Sequence, residues 1–183
     1  SDVYKRQSLN CKKGKPVILG VIPARLNSTR FPSKVIFPLK GKPIIEHVYE
    51  KALQSNLLNK VIVAVDSEET KNVINCRNII MTSDKHQSGT DRVAEVANNF
   101  NCDIVVNIQG DEPGIDPLLI DKLIQLFEDP DVEMASIAST DLKEDDLNND
   151  NVVKVNLDKE NNAISFIRNN LNPESTYYRH IGI

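Results

Sequence analysis

The feature that most constrains the fold is a series of short, continuously apolar, β-branched runs separated by helix-like spacing. Residues 17–22 read V-I-L-G-V-I, 61–65 read V-I-V-A-V and 104–108 read I-V-V-N-I. Such runs suit strands buried on both faces rather than strands with one wet face. Residues 79–82 and 132–139 read as further strands. Between them, Ile44, Val48 and Ala52 keep helical spacing to about Ser55, after Gly41-Lys42-Pro43 opens the helix with proline in its first turn. Residues 68–75 suit a short helix. Val93, Val96, Ala97 and Phe100 share one helical face, as do Leu119, Ile120, Leu123, Ile124 and Phe127. Strand–helix alternation with apolar strands predicts an α/β fold, a mostly parallel sheet with helices on both faces.

Beyond Thr140 the pattern changes. An acidic, Asn-rich stretch, 141–151, precedes two strand-like segments, 152–157 and 163–168, joined by D-K-E-N-N. These predict a β-hairpin appended to the sheet. The opening segment, 1–15, is polar and patternless, and it is expected to lie outside the domain that runs from 16 to 183.

Charge and composition exclude several classes. Net charge is −4, from 22 Lys+Arg against 26 Asp+Glu, which is not the basic excess of a nucleic-acid binder. No apolar run approaches the roughly 18 residues a membrane span needs, and no signal-peptide pattern opens the sequence. The 3 cysteines form no C-x-x-C pair and read as thiols in a reducing cytosol.

In open α/β sheets, ligands sit beyond the C-terminal ends of the strands. Arg25, Arg30 and Lys34 fall there, on a loop with Ser28 and Thr29, and could wrap a triphosphate. The same residues could equally form a solvated polar loop. There is no P-loop motif. Asp111 follows an apolar strand directly, where a carboxylate can hold Mg²⁺ against phosphate oxygens. The other reading of Asp111 and Glu112 is a turn before Pro113. The segment H-Q-S-G-T-D-R (86–92) contains a helix-start box, Ser88 to Asp91, which could be a cap alone or a phosphate-binding helix N-terminus.

Taken in order, the segments I-P-A-R-L-N-S-T-R-F-P-S-K (22–34), G-K-P-I-I-E-H-V (41–48), H-Q-S-G-T-D-R (86–92), N-I-Q-G-D-E-P (107–113), V-K-V-N-L-D (153–158) and R-H-I-G-I (179–183) resemble the 3-deoxy-manno-octulosonate (Kdo) cytidylyltransferases. The resemblance implies a Rossmann-like nucleotidyltransferase fold, use of CTP and Mg²⁺, a homodimer and a cytoplasmic role in lipopolysaccharide biosynthesis. It would set Ala24, Arg25, Arg30 and Lys34 around the phosphates, with Arg25, Arg30, Lys34 and Asp111 as the catalytic set. Ser88, Gly89, Thr90 and Arg92 would lie near the nucleotide, Gln109 between nucleotide and sugar acid, Asp111 on the metal and His180 on the sugar acid. Ser83 and Lys85 depart from the family, which commonly has arginine and aspartate there. The family also continues past the point corresponding to Ile183, so the chain is expected to be C-terminally truncated. Alternatives are a cytidylyltransferase for another sugar acid, such as an amino analogue of Kdo or a neuraminate-like acid, and a non-catalytic nucleotide-binding fragment.

Overall fold

The computed structural model describes residues 15–25 and 33–183. The expected extra-domain segment therefore lies outside the described residues, except for Lys15. The elements in chain order are β1 (Ile18–Ala24), a 3-10 turn (Lys34–Ile36), β2 (Pro38–Leu39), β3 (Lys42–Pro43), α1 (Ile44–Ala52), β4 (Lys60–Val65), α2 (Glu68–Val73), β5 (Ile79–Met81), α3 (Gly89–Ala97) and β6 (Ile104–Asn107). There follow α4 (Pro117–Gln125), a second 3-10 turn (Leu126–Glu128), β7 (Ile137–Ser139), α5 (Glu144–Leu147), β8 (Lys154–Leu157), β9 (Ala163–Ile167) and β10 (Tyr177–Ile181).

The apolar runs form a parallel sheet in the order β5-β4-β1-β6. All seven residues of β1 are buried, which explains the absence of polar alternation in its sequence. Alternate side chains still go to opposite faces. Ile18, Ile22, Val61, Val63 and Val65 pack with Ile45 and Val48 of α1 and Ile120 and Leu123 of α4. Leu19, Val21, Ile62 and Ala64 pack on the other face with Val93 and Val96 of α3. Fully burying a Val, Leu or Ile side chain contributes roughly 1.5–3 kcal/mol, so these two layers hold the central strands firmly. Helices cover both faces, as the alternation predicts.

Two local expectations are revised. Gly41 does not open the helix: Lys40 and Gly41 have φ of 50° and 85° and form the two-residue turn of a small β2–β3 hairpin. Positive φ at both central residues matches the twist of a tight hairpin. Pro43 is then the residue just before α1. The run at 132–139 yields only β7, at its end, and β7 joins a different sheet.

That second sheet is antiparallel, in the order β7-β10-β8-β9. The expected hairpin is β8–β9, and it is built into this sheet through β10. Its loop closes around Asp158, whose carboxylate accepts from the backbone N–H of Glu160 and of Asn162 at 2.9 and 2.8 Å. The two sheets meet where the Gln109 N–H donates to the Gly182 carbonyl at 3.3 Å. Among the described residues, no helix is long and apolar enough to cross a membrane.

Candidate nucleotide-binding cleft

A cleft of about 1150 Å³ opens between the C-terminal edge of the parallel sheet and the antiparallel sheet. On the parallel side, Arg25 follows β1 immediately, and its guanidinium donates to the Gln87 carbonyl at 3.1 Å. Lys34 begins the first 3-10 turn, after Ser33 in a left-handed conformation (φ 61°). The Lys34 ammonium meets the Asp111 carboxylate at 2.7 Å, with side chains 44% and 38% exposed. A pair this open contributes at most about 1 kcal/mol, so it can separate to admit a phosphate and a cation at little cost. Asp111 reaches this position because Gly110 lets the chain pass close to β1. A Cβ at Gly110 would lie 2.9 Å from the Pro23 carbonyl oxygen.

The N-terminus of α3 supplies the adjoining wall. Ser88 caps the helix: its Oγ accepts from the Asp91 N–H at 3.1 Å, and the Asp91 carboxylate accepts from the Ser88 N–H and Oγ–H at 3.0 and 2.7 Å. These bonds hold the Asp91 carboxyl below its usual range. The capping reading of this segment is therefore correct. Gly89 and Thr90 nevertheless line the cleft, at the positive end of the helix where backbone N–H groups favour anions.

The remaining candidates divide. Gln109 and His180 line the cleft, whereas Ala24, Ser88 and Arg92 are not among its lining residues. The Ala24 side chain is fully buried in the core, leaving only its backbone for any ligand. Arg92 is 1% exposed. Its guanidinium donates to Thr82 Oγ1 and to the Ser83 carbonyl (3.2 Å) and pairs with Asp66 at 3.2 Å, which ties α3 to the ends of β4 and β5. Burial lowers its pKa, and Asp66 works against that shift. Ser83 gives its N–H to the Glu95 carboxylate at 3.0 Å. Arg30, Ser28 and Thr29 lie outside the described residues.

On the antiparallel side, the His180 N–H donates to the Val153 carbonyl at 2.9 Å, and its ring meets Phe166 edge-on at 5.0 Å. Nε2 lies 2.7 Å from Ser136 Oγ, and burial lowers the pKa of the ring. A Cβ at Gly182 would collide with the Gln109 side chain, so glycine there sets how closely the two walls approach. Reasoning from sequence passed over Arg168 and Arg179, which also line the cleft. Arg179 was within reach, standing beside His180 in R-H-I-G-I. Arg168 became a wall residue only through the pairing of β9.

No group of three or more His, Cys, Asp or Glu among the described residues could hold a metal ion alone. The cleft wall carries Asp111, Glu112 and Asp141 beside Arg25, Lys34, Arg168 and Arg179, and Asp111, the carboxylate paired with Lys34, suits a cation bound largely by ligand oxygens, as Mg²⁺ with nucleotides commonly is.

The family model described as cytidylyltransferase matches residues 19–183. The 3-deoxy-manno-octulosonate cytidylyltransferase of Pelobacter propionicus is 44% identical over 160 residues, which is 84% of this chain and 62% of that protein. The protein of the same name from Thermodesulfovibrio yellowstonii is 40% identical over 188 residues, covering 91% of this chain and 74% of its relative. A solved CMP:2-keto-3-deoxy-manno-octonic acid synthetase complexed with CTP superposes with a TM-score of 0.81 at 34% identity, covering 91% of this chain and 72% of that one. This chain thus spans 62% of the length of the Pelobacter relative.

Proposed function

The chain belongs to the cytidylyltransferase family, and from that premise we propose that its protein transfers CMP from CTP to Kdo, releasing pyrophosphate. The observation that carries this reading is the exposed Lys34–Asp111 pair at the mouth of a cleft shared with Arg25 and the α3 N-terminus. Arg25, Arg30 and Lys34 bind the triphosphate, and the backbone at Ala24 and the first turn of α3, from Ser88 through Gly89 and Thr90, supports the nucleotide. Arg92 serves the nucleotide indirectly, by fixing the 82–83 segment. Gln109 stands between nucleotide and sugar acid, and His180 contacts the sugar acid.

In the reaction, the anomeric hydroxyl of Kdo attacks the α-phosphorus. The bond from that phosphorus to the bridging oxygen breaks, pyrophosphate leaves, and the hydroxyl proton passes to solvent. Such displacements are accelerated chiefly by positioning and charge stabilisation. Arg25, Arg30 and Lys34 offset charge on the departing pyrophosphate. Asp111 would hold Mg²⁺ together with phosphate oxygens, and the bound ion would neutralise phosphate charge and acidify the hydroxyl. The reaction belongs in the cytoplasm, where CTP is made, and the product serves lipopolysaccharide assembly. A homodimer is part of the same proposal, on family grounds.

Pyrophosphate release by the intact protein tests the substrate pair. With Mg²⁺ present, CTP plus Kdo should give product, while ATP plus Kdo, or CTP plus N-acetylneuraminate, should give little. Equal rates with ATP, or with neuraminate, would remove the respective half of the reading.

A further inference from the structure

We propose that Glu95 is a positioning residue for the triphosphate site, acting through His86 and the 83–87 loop on Arg25. The inference rests on the reading of Arg25 as a phosphate ligand.

Glu95 lies on α3, outside the lining of the cleft. Its carboxylate accepts from the Ser83 N–H at 3.0 Å and is hydrogen-bonded to His86 Nε2, so one side chain grips the loop at two points. These two bonds keep its carboxyl below the usual range, the bond from His86 contributing most. The next residue of the loop, Gln87, turns its carbonyl to the Arg25 guanidinium at 3.1 Å. Arg92 fixes the start of the same loop through Thr82 and the Ser83 carbonyl, and the Ser88–Asp91 cap fixes its end. Between those ends Glu95 holds His86, the residue just before the carbonyl that aims Arg25.

Arginine is a long, rotamer-rich side chain, and ordering it on binding weakens affinity. A carbonyl held in place beforehand removes part of that cost. The carbonyl is only as steady as its loop, and a loop is among the less stable parts of a fold unless side chains anchor it. Glu95 is that anchor. The capping box alone explains why α3 starts at Gly89, but it gives no reason for a carboxylate one turn further on to reach back to Ser83 and His86.

The test is a double-mutant cycle on CTP affinity in the presence of Mg²⁺, measured by calorimetry, with thermal melting of each variant. Glu95→Ala should weaken CTP binding about tenfold, a typical coupling between neighbours in one network. Glu95→Gln, which keeps an acceptor for the Ser83 N–H, should recover part of the loss. In an Arg25→Met background, Glu95→Ala should change affinity by less than about twofold, because the group it positions is gone. If Glu95→Ala does not fold, His86→Ala breaks one of the two grips and enters the same cycle. Equal losses in both backgrounds, or no loss in either, would overturn the positioning role. If Arg25→Met itself leaves CTP affinity unchanged, the assignment of Arg25 to the triphosphate is what fails.

Discussion

His180 is held so that its tautomer follows from its neighbours. The Ser136 hydroxyl has one proton, and it donates that proton to the Ile183 carbonyl, which can only accept, at 2.7 Å. Ser136 Oγ must therefore accept from His180 Nε2–H, and the neutral ring keeps its lone pair on Nδ1. Burial disfavours the imidazolium, so the folded pKa lies below the ordinary 6.5. Folding then binds fewer protons at this site than the unfolded chain does. The stability from the neutral ring is complete above pH 6.5 and is lost as pH falls through the folded pKa. Nitrogen-resolved NMR of the ring should show Nε2–H in the neutral form and a midpoint below 6.5. An Nδ1–H tautomer, or a midpoint above that value, would contradict this account. The R-H-I-G-I motif was enough to single out His180. Its bond to Ser136 was not legible, because the two residues are brought together only by the antiparallel pairing of β7 and β10.

Among the elements, α4 is coupled to the α1–β4 connection by one carboxylate. Asp121, 8% exposed, accepts from the Ser55 hydroxyl, from the Asn56 N–H and side-chain amide at 3.1 Å, and from the Leu57 N–H at 3.2 Å. Burial raises its pKa, but these hydrogen bonds outweigh burial and the net shift is downward. The stability it adds is present above the ordinary value of 3.8 and is lost as pH falls through the lower folded pKa. Asp121→Ala would leave several donors short of a partner and should cost roughly 2–4 kcal/mol in denaturant unfolding near neutral pH, less in strong acid. A loss below about 0.5 kcal/mol would show that water replaces the carboxylate without penalty. The helical pattern placed α4 correctly, yet nothing local marks Asp121 as buried, since its partners stand 64–66 residues away. The opposite error occurred at 132–139, where Val132, Met134 and Ala135 look strand-like. Strands need partners, and only Ile137–Ser139 finds one, in β10. Met134 is left 89% exposed.

For the whole molecule, the parallel half was legible, and in the antiparallel half the β8–β9 hairpin was, whereas β10 and its pairings were not. Strands buried on both faces leave a local record in continuous β-branched runs, and β1, β4 and β6 were found close to their true limits. The second sheet is half-buried, and β10, one of its two inner strands, carries Tyr177, Tyr178, Arg179 and His180 in place of such a run. The cleft lies between these halves, so one wall could be read from strand ends while the other came mainly through family resemblance. Its proposed centre is Asp111, joined to Lys34 across the mouth. The most direct test is pyrophosphate release from CTP and Kdo by the intact protein carrying Asp111→Asn, followed as Mg²⁺ is titrated. Asparagine is a good turn residue and keeps the size of the side chain, so the fold should survive. The account predicts an unchanged circular dichroism spectrum and loss of most turnover at every Mg²⁺ concentration, whereas a near-normal rate at limiting Mg²⁺ would contradict it.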